Sequence, residues 1–319
     1  MTGEKKYGKN KSNKTFYLTQ KERITLLMHI NDFYNLPDNS EHFNINLEKD
    51  TKAFIDPHKI RCGNSQRTLL YEDKINDFME TLVSLLKNDK YEEAIQLCNS
   101  LSECNFIHLG YCKSNPQGKG LGTITGKELC DSIIDSEAFS EDLLTHLEDF
   151  TIFIKQIGSD RISDICARII LFDLVDFTKE TLDEYKVDTG FYWENTELVS
   201  WDLTSHQFIK KKCKIPVCEN NKSPFILTPK EIISEEHVTY NGLADFVRHG
   251  ILAYYINNYR NFPEILELAP KNKHGEVIHP SKKEIEEKKG GVNQIFDEFF
   301  EFSDDLKREI INLYKKIKK

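Results

Sequence analysis

Between Leu147 and Lys186 the spacing of apolar residues changes from that of a strand to that of a helix, and this switch constrains the chain more than any other stretch. Phe150, Ile152, Phe153, Ile154 and Ile157 form a β-branched and aromatic run of strand length, closed by Gly158-Ser159-Asp160. Ile162, Ile165, Cys166, Ile169 and Phe172 then recur at helical spacing, with Arg161, Asp164 and Arg168 on another face. The pattern predicts a strand, a tight turn and a long helix. Asp160 and Asp164 would stand one turn apart at the positive end of that helix, a place where α/β proteins commonly put chemistry. The same residues admit a structural reading, with Ser159 or Asp160 as an N-cap and Asp164 with Arg168 as an exposed i,i+4 pair.

Around this unit the chain alternates helical and strand patterns, which predicts a mixed α/β (α+β) fold with a central sheet flanked by helices. Apolar stripes predict helices over 72–87, 91–102 and 240–259, and from Lys127. Ala53-Phe54-Ile55, closing on Asp56-Pro57, reads as a strand that ends in a turn. Phe43, Ile45 and Leu47 alternate with polar residues, and short β-like runs follow Gly190 as far as Phe225-Ile226-Leu227-Thr228. Three segments are expected: a mobile basic arm over 1–16, an α/β core over 17–268, and a helical C-terminal extension over 269–319.

The formal charge of −9 argues against a broad basic surface, although Lys210, Lys211, Lys212 and Lys214 form a local basic cluster. Eight cysteines are scattered without a Cys-x-x-Cys pair, so neither a disulfide framework nor a zinc knuckle is indicated. No apolar stretch approaches the roughly 18 residues that a bilayer span requires. A cytoplasmic protein without membrane association is the expectation.

The second informative stretch, FIHLGYCKSNPQGKGLGTITG over 106–126, reads as a glycine-rich loop. Lys113, Ser114 and Lys119 would meet a substrate phosphate there, although the glycines fit neither the phosphate-loop pattern nor the dinucleotide fingerprint. Arg161 and Arg168 are further candidates for phosphate contact. Asp160 followed by Glu184-Tyr185-Lys186 has the order of a restriction-endonuclease core, in which carboxylates hold a divalent metal and a lysine positions water. Lys230, after Pro229, is an alternative basic member. The expected catalytic set is therefore Asp160, Asp164, Lys186 and Lys230, with Asp56, Glu148 and Asp160 as ligands of Mg2+, since hard carboxylates dominate the candidates.

Four segments carry a family resemblance: FIDP ending at Pro57, HLGYCKSNPQGKGLG at 108–122, LEDFTIFIKQIGSDRISDICARII at 147–170 and PFILTPKEII at 224–233. Together they resemble a bacterial family associated with mobile elements and phage-defence gene neighbourhoods. The resemblance implies a role in anti-phage defence and assigns no activity residue by residue. Two functions compete. One is a metal-dependent nuclease or phosphodiesterase acting on nucleic acid. The other is a non-catalytic sensor or adaptor that binds a nucleotide or phage component and works with a partner subunit or as a homo-oligomer. A purely structural helix-rich protein is the third reading.

Overall fold

The computed structural model describes residues 29–110 and 125–319. The basic arm, and the glycine-rich segment with Lys113, Ser114 and Lys119, therefore lie outside the described residues. The mixed class expected from the sequence holds: small antiparallel sheets are flanked by helices, with further helices at the C-terminus.

The chain enters through α1 (Ile30–Tyr34) and reaches β1 (Ala53–Ile55), which pairs antiparallel with β4 (Ile233–Glu235) in the register Phe54 to Ser234. Asp56 caps the helix that follows, α2 (Pro57–Cys62), by accepting from the His58 amide, with Pro57 preset at the first helical position. Ser65 caps the long α3 (Gln66–Lys87). Its stripe of Tyr71, Ile75, Phe78, Met79, Leu82 and Leu86 is buried in the main core, as the helical spacing requires. Next come α4 (Tyr91–Asn99), α5 (Gly126–Ile134) behind a Thr125–Glu128 capping box, and the single turn α6 (Glu137–Ser140).

The stretch 150–157, expected as a strand, is instead a 3-10 turn (Leu147–Asp149) continued by the helical turn α7 (Phe150–Phe153) and an extended exit. The physical reason is local capping. Asp149 accepts hydrogen bonds from the amides of Thr145 and His146, and Thr151 donates its hydroxyl to the carbonyls of Glu148 and Tyr240. A short apolar run buried on every side reads alike as strand or helix. Gly158 then leads into α8 (Ser159–Ile169), the predicted helix, followed after Ile170 by α9 (Leu171–Glu184). Ile162, Ile165, Cys166, Ala167 and Ile169 are all inaccessible, so α8 is the central helix of the core.

β2 (Phe191–Asp202) and β3 (Gln207–Cys218) form a long hairpin paired from Phe191–Cys218 to Asp202–Gln207. The fold thus has two separate two-stranded antiparallel sheets among the described residues, rather than one sheet fed by α8. Two other runs that read as strands are extended but mostly unpaired. At Phe225, Ile226 and Leu227 the amides donate to Pro216 O, Phe106 O and Thr178 Oγ1, three different segments. Ile45 and Leu47 sit in a smaller core with Ile30, Phe177 and Phe225.

From Leu243 onward the regular structure is helical. α10 (Leu243–Phe246) passes through a π-turn (Val247–Ile251) into α11 (Leu252–Asn257), and α12 (Pro263–Leu266), α13 (Lys282–Lys288), α14 (Val292–Phe300) and α15 (Asp304–Ile317) follow. Ile295, Phe299, Ile310 and Tyr314 belong to the same core cluster as α8, so these helices close the main core. Phe153 stacks on Phe299, which in turn meets Phe246 edge to face at 5.3 Å. Among the described residues no helix is long and apolar enough to cross a membrane.

Candidate functional site

At the start of α8, Asp160 lies in the first turn and Asp164 one turn further in. Burial pushes the Asp164 carboxyl up, and the negative charges of Asp160 and Glu103 add to the effect against the opposing pull of Arg161 and Arg168, leaving it at about 7. A carboxyl at that value holds or releases its proton near neutrality, as general acid–base chemistry needs. Gly110 approaches this edge with φ +139°, and a Cβ placed on it would stand 2.9 Å from Asp160 Oδ1. Its amide donates to Thr51 O, while the Thr51 amide donates to His108 O, so the approach of Gly110 to Asp160 is held by backbone bonds.

Arg168, expected to contact phosphate or to pair with Asp164 on the surface, is instead buried and engaged. Nε and Nη2 donate to Ser102 O, Nη2 also to Ser102 Oγ and Glu103 O, and Nη1 to Val199 O. A guanidinium committed to these acceptors is a clamp. It fixes the segment that carries Glu103 against α8 and ties α8 to β2. Arg161 is half-buried, and its charge pulls the Asp164 carboxyl downward.

The two lysines proposed as catalytic are elsewhere. Lys186 stands in a left-handed turn (φ 54°) after α9, between Tyr185 and Val187, which pack on the smaller core. Glu184 ends a helix, so the Glu-x-Lys triplet lacks the strand that would aim both side chains at one metal. Lys230 donates its ammonium to Asp38 O at 2.6 Å.

Two of the three expected metal ligands hold protein donors. Asp56 is fully buried; it accepts from His58 N through Oδ1, and from Ser234 Oγ, Thr239 N and Thr239 Oγ1 through Oδ2. Glu148 Oε1 receives Arg61 Nε at 2.6 Å. Burial pushes the Glu148 carboxyl up, but hydrogen bonds from His58 and Arg61 and the Arg61 charge outweigh it and hold it at about 2. The expected trio of Asp56, Glu148 and Asp160 is thus not a ligand set, and the described residues contain no group of three or more His, Cys, Asp or Glu that could hold a metal ion.

Around Glu148 the fold assembles a polar network that the sequence did not announce. Arg61 Nη2 lies 2.9 Å from His58 Nδ1 and 3.5 Å from the Tyr240 hydroxyl. The His58 and Tyr240 rings meet at a tilt with centroids 4.7 Å apart, and Cys62 Sγ lies 3.6 Å from His58 Nε2. His58 Nδ1 also faces Glu148 Oε1, at 3.7 Å. Next to it, buried Asp149 meets Lys315 of α15 at 3.4 Å. The available signal was the spacing of His58, Arg61 and Cys62 on one helix face; their partners at 148 and 240 come from distant segments.

Residues 34–241 match the model of a family described as Domain of unknown function (DUF8370). No curated protein and no solved structure matches the chain. The chain belongs to the DUF8370 family, whose matched region spans α8, the Asp164 edge, the hairpin and the Arg61–Glu148 network.

Proposed function

We propose that this DUF8370 member is a hydrolase of phosphodiester bonds in nucleic acid that serves bacterial defence against phage, with Asp164 and Asp160 as its acid–base pair. The observation that carries the reading is the Asp164 carboxyl held at about 7 beside a second carboxylate. Burial is the main cause of the raised value, and the nearby Asp160 charge adds to it. In the hydrolysis, Asp164 as carboxylate takes a proton from the water that attacks phosphorus. The same proton is then returned to the oxygen that leaves, so the pair ends as it began. Arg161 is the cation assigned to the phosphate, and burial, with the Asp160 charge behind it, sets the affinity of Asp164 for the proton. The defence setting rests on the resemblance carried by the segments at Asp56, 108–122, 147–170 and 224–233. Magnesium fits this site less well than the sequence implied, because Asp56 and Glu148 hold protein donors.

The test is cleavage of plasmid DNA and total RNA by the purified chain, with Mg2+ and with a chelator, alongside Asp164→Asn and with thermal stability recorded. Cleavage by the wild type that is lost in a folded Asp164→Asn protein is the expected result. Binding without cleavage would instead favour the sensor or adaptor role, and equal cleavage by Asp164→Asn would remove Asp164 from the chemistry.

A further inference from the structure

Over its middle pairs the hairpin turns one face to α8 and α9 and the other to solvent, while at the turn end the second face, through Trp201 and Phe208, packs on Phe78 of α3. Leu198, Cys213 and Ile215 lie on the inner face and are buried. Lys211, opposite Leu198 in the register, belongs to that face as well, and its ammonium lies over the Phe172 ring at 5.6 Å. Paired residues in an antiparallel ladder share a face, so Lys210, Lys212 and Lys214 stand with Val199, Glu197 and Asn195 on the outer one. All three lysines are exposed. Glu197 is the acid of this row, and it sits 3.5 Å from Lys210. Among the described residues no carboxylate comes within ion-pair distance of Lys212 or Lys214, so the face keeps a positive surplus on a chain whose formal charge is −9.

The same face continues to Trp193, paired with Pro216 and 40% exposed. Its ring is held edge to face against Phe191 at 5.3 Å, which fixes it while leaving a broad apolar surface to solvent. At the other end of the hairpin, Trp201 Nε1 donates to Asp77 Oδ2 at 2.7 Å and His206 Nδ1 meets Asp77 Oδ1, so the strands are anchored to α3. The lysine row is therefore presented on a rigid support.

Alternate residues of a strand are about 6.7 Å apart, a spacing of the same order as successive phosphates along an extended polynucleotide. A straight row of cations ending in an exposed, braced indole has the two parts that single-strand binders combine, a charged track for the backbone and a platform for a base. We infer that the outer face of the β2–β3 hairpin, through Lys210, Lys212, Lys214 and Trp193, binds single-stranded nucleic acid. This deepens the hydrolase reading by naming the form of its substrate. The face connects to the proposed acid–base pair through Arg168, which bonds β2 at Val199 O one turn along α8 from Asp164.

The test uses fluorescence anisotropy of the full chain with labelled 20-nucleotide DNA and RNA single strands and the matching duplex. Lys212→Glu combined with Lys214→Glu, and Trp193→Ala separately, are run beside the wild type and Asp164→Asn, each with its melting temperature. Both hairpin variants are expected to fold normally, since the substituted side chains are exposed, and to weaken binding by about tenfold or more. Each lysine that neutralises a phosphate contributes about 0.7 to the dependence of log affinity on log salt, so the double variant is expected to lose about 1.4 from that slope. The DNA and RNA arms report which sugar is preferred. Binding unchanged in both hairpin variants, stronger binding of the duplex, or no binding by the wild type overturns the inference. Loss of binding in the hairpin variants with full cleavage retained by Asp164→Asn would leave the surface standing and remove the proposed acid–base pair.

Discussion

Arg61 Nε lies 2.6 Å from Glu148 Oε1 in a place where Glu148 is almost inaccessible, and this pair joins α2 to the turn that precedes α8. Burying a carboxylate is costly unless its partner stays with it. Arg61→Ala is therefore expected to destabilise the fold by about 3–5 kcal/mol in urea denaturation at neutral pH. The sign with pH follows from the depressed carboxyl. Its contribution is fully present above the ordinary value of 4.5 and is lost as pH falls towards about 2. Glu148→Gln should flatten that acid loss, and an unchanged acid transition in this variant would contradict the pairing.

Asp164 behaves in the opposite way. Its carboxyl is raised from 3.8 to about 7, so its contribution to stability is fully present below pH 3.8 and is lost as pH rises through 7. Asp164→Asn should thus stabilise the protein above neutrality, by on the order of 2 kcal/mol, and change little in acid. Calorimetry at both ends of that window checks this. A residue that costs stability where the protein works is expected at a site selected for reactivity.

Asp56 should act through the fold alone. Asp56→Ala strips the partner from Ser234, Thr239 and the His58 amide and is expected to cost about 3 kcal/mol or more. Calorimetric titration with Mg2+ should give the same heats for this variant as for the wild type. A loss of metal binding without a loss of stability would restore Asp56 as a ligand.

Gly110→Ala combines a strained φ with a Cβ driven towards Asp160 Oδ1. Cleavage is expected to fall by at least about tenfold, with a stability cost of roughly 1 kcal/mol, because the displaced carboxylate adds less to the raised proton affinity of Asp164. The pH midpoint of cleavage should shift with it, which a purely structural effect would not produce.

Much of this architecture was legible in the residues. Helical spacing found α8 and the stripe of α3, the Asp56-Pro57 turn closed β1, and the short β-like runs after Gly190 fell on the hairpin strands without giving their length or pairing. What failed were readings that needed partners. Phe150 to Ile157 has the composition of a strand, but Asp149 and Thr151 cap it into a helical turn with no neighbouring edge to pair. Arg168 looked like a surface cation because its acceptors are backbone carbonyls at 102, 103 and 199, which carry no signature in composition. Glu148 looked like a metal ligand for the same reason: Arg61 is 87 residues away. The Asp160–Asp164 edge was found because the pair lies within one helix, where spacing alone settles proximity.

The measurement that tests the central claim most directly is the pH dependence of single-strand cleavage, from about pH 5 to about pH 9, by the wild type and Asp164→Asn at equal folded concentration. The account predicts a wild-type profile with an inflection near pH 7 and a variant whose residual rate is at least about a hundredfold lower and shows no such inflection. A variant that cleaves at the wild-type rate, or one that keeps the same inflection, would contradict it.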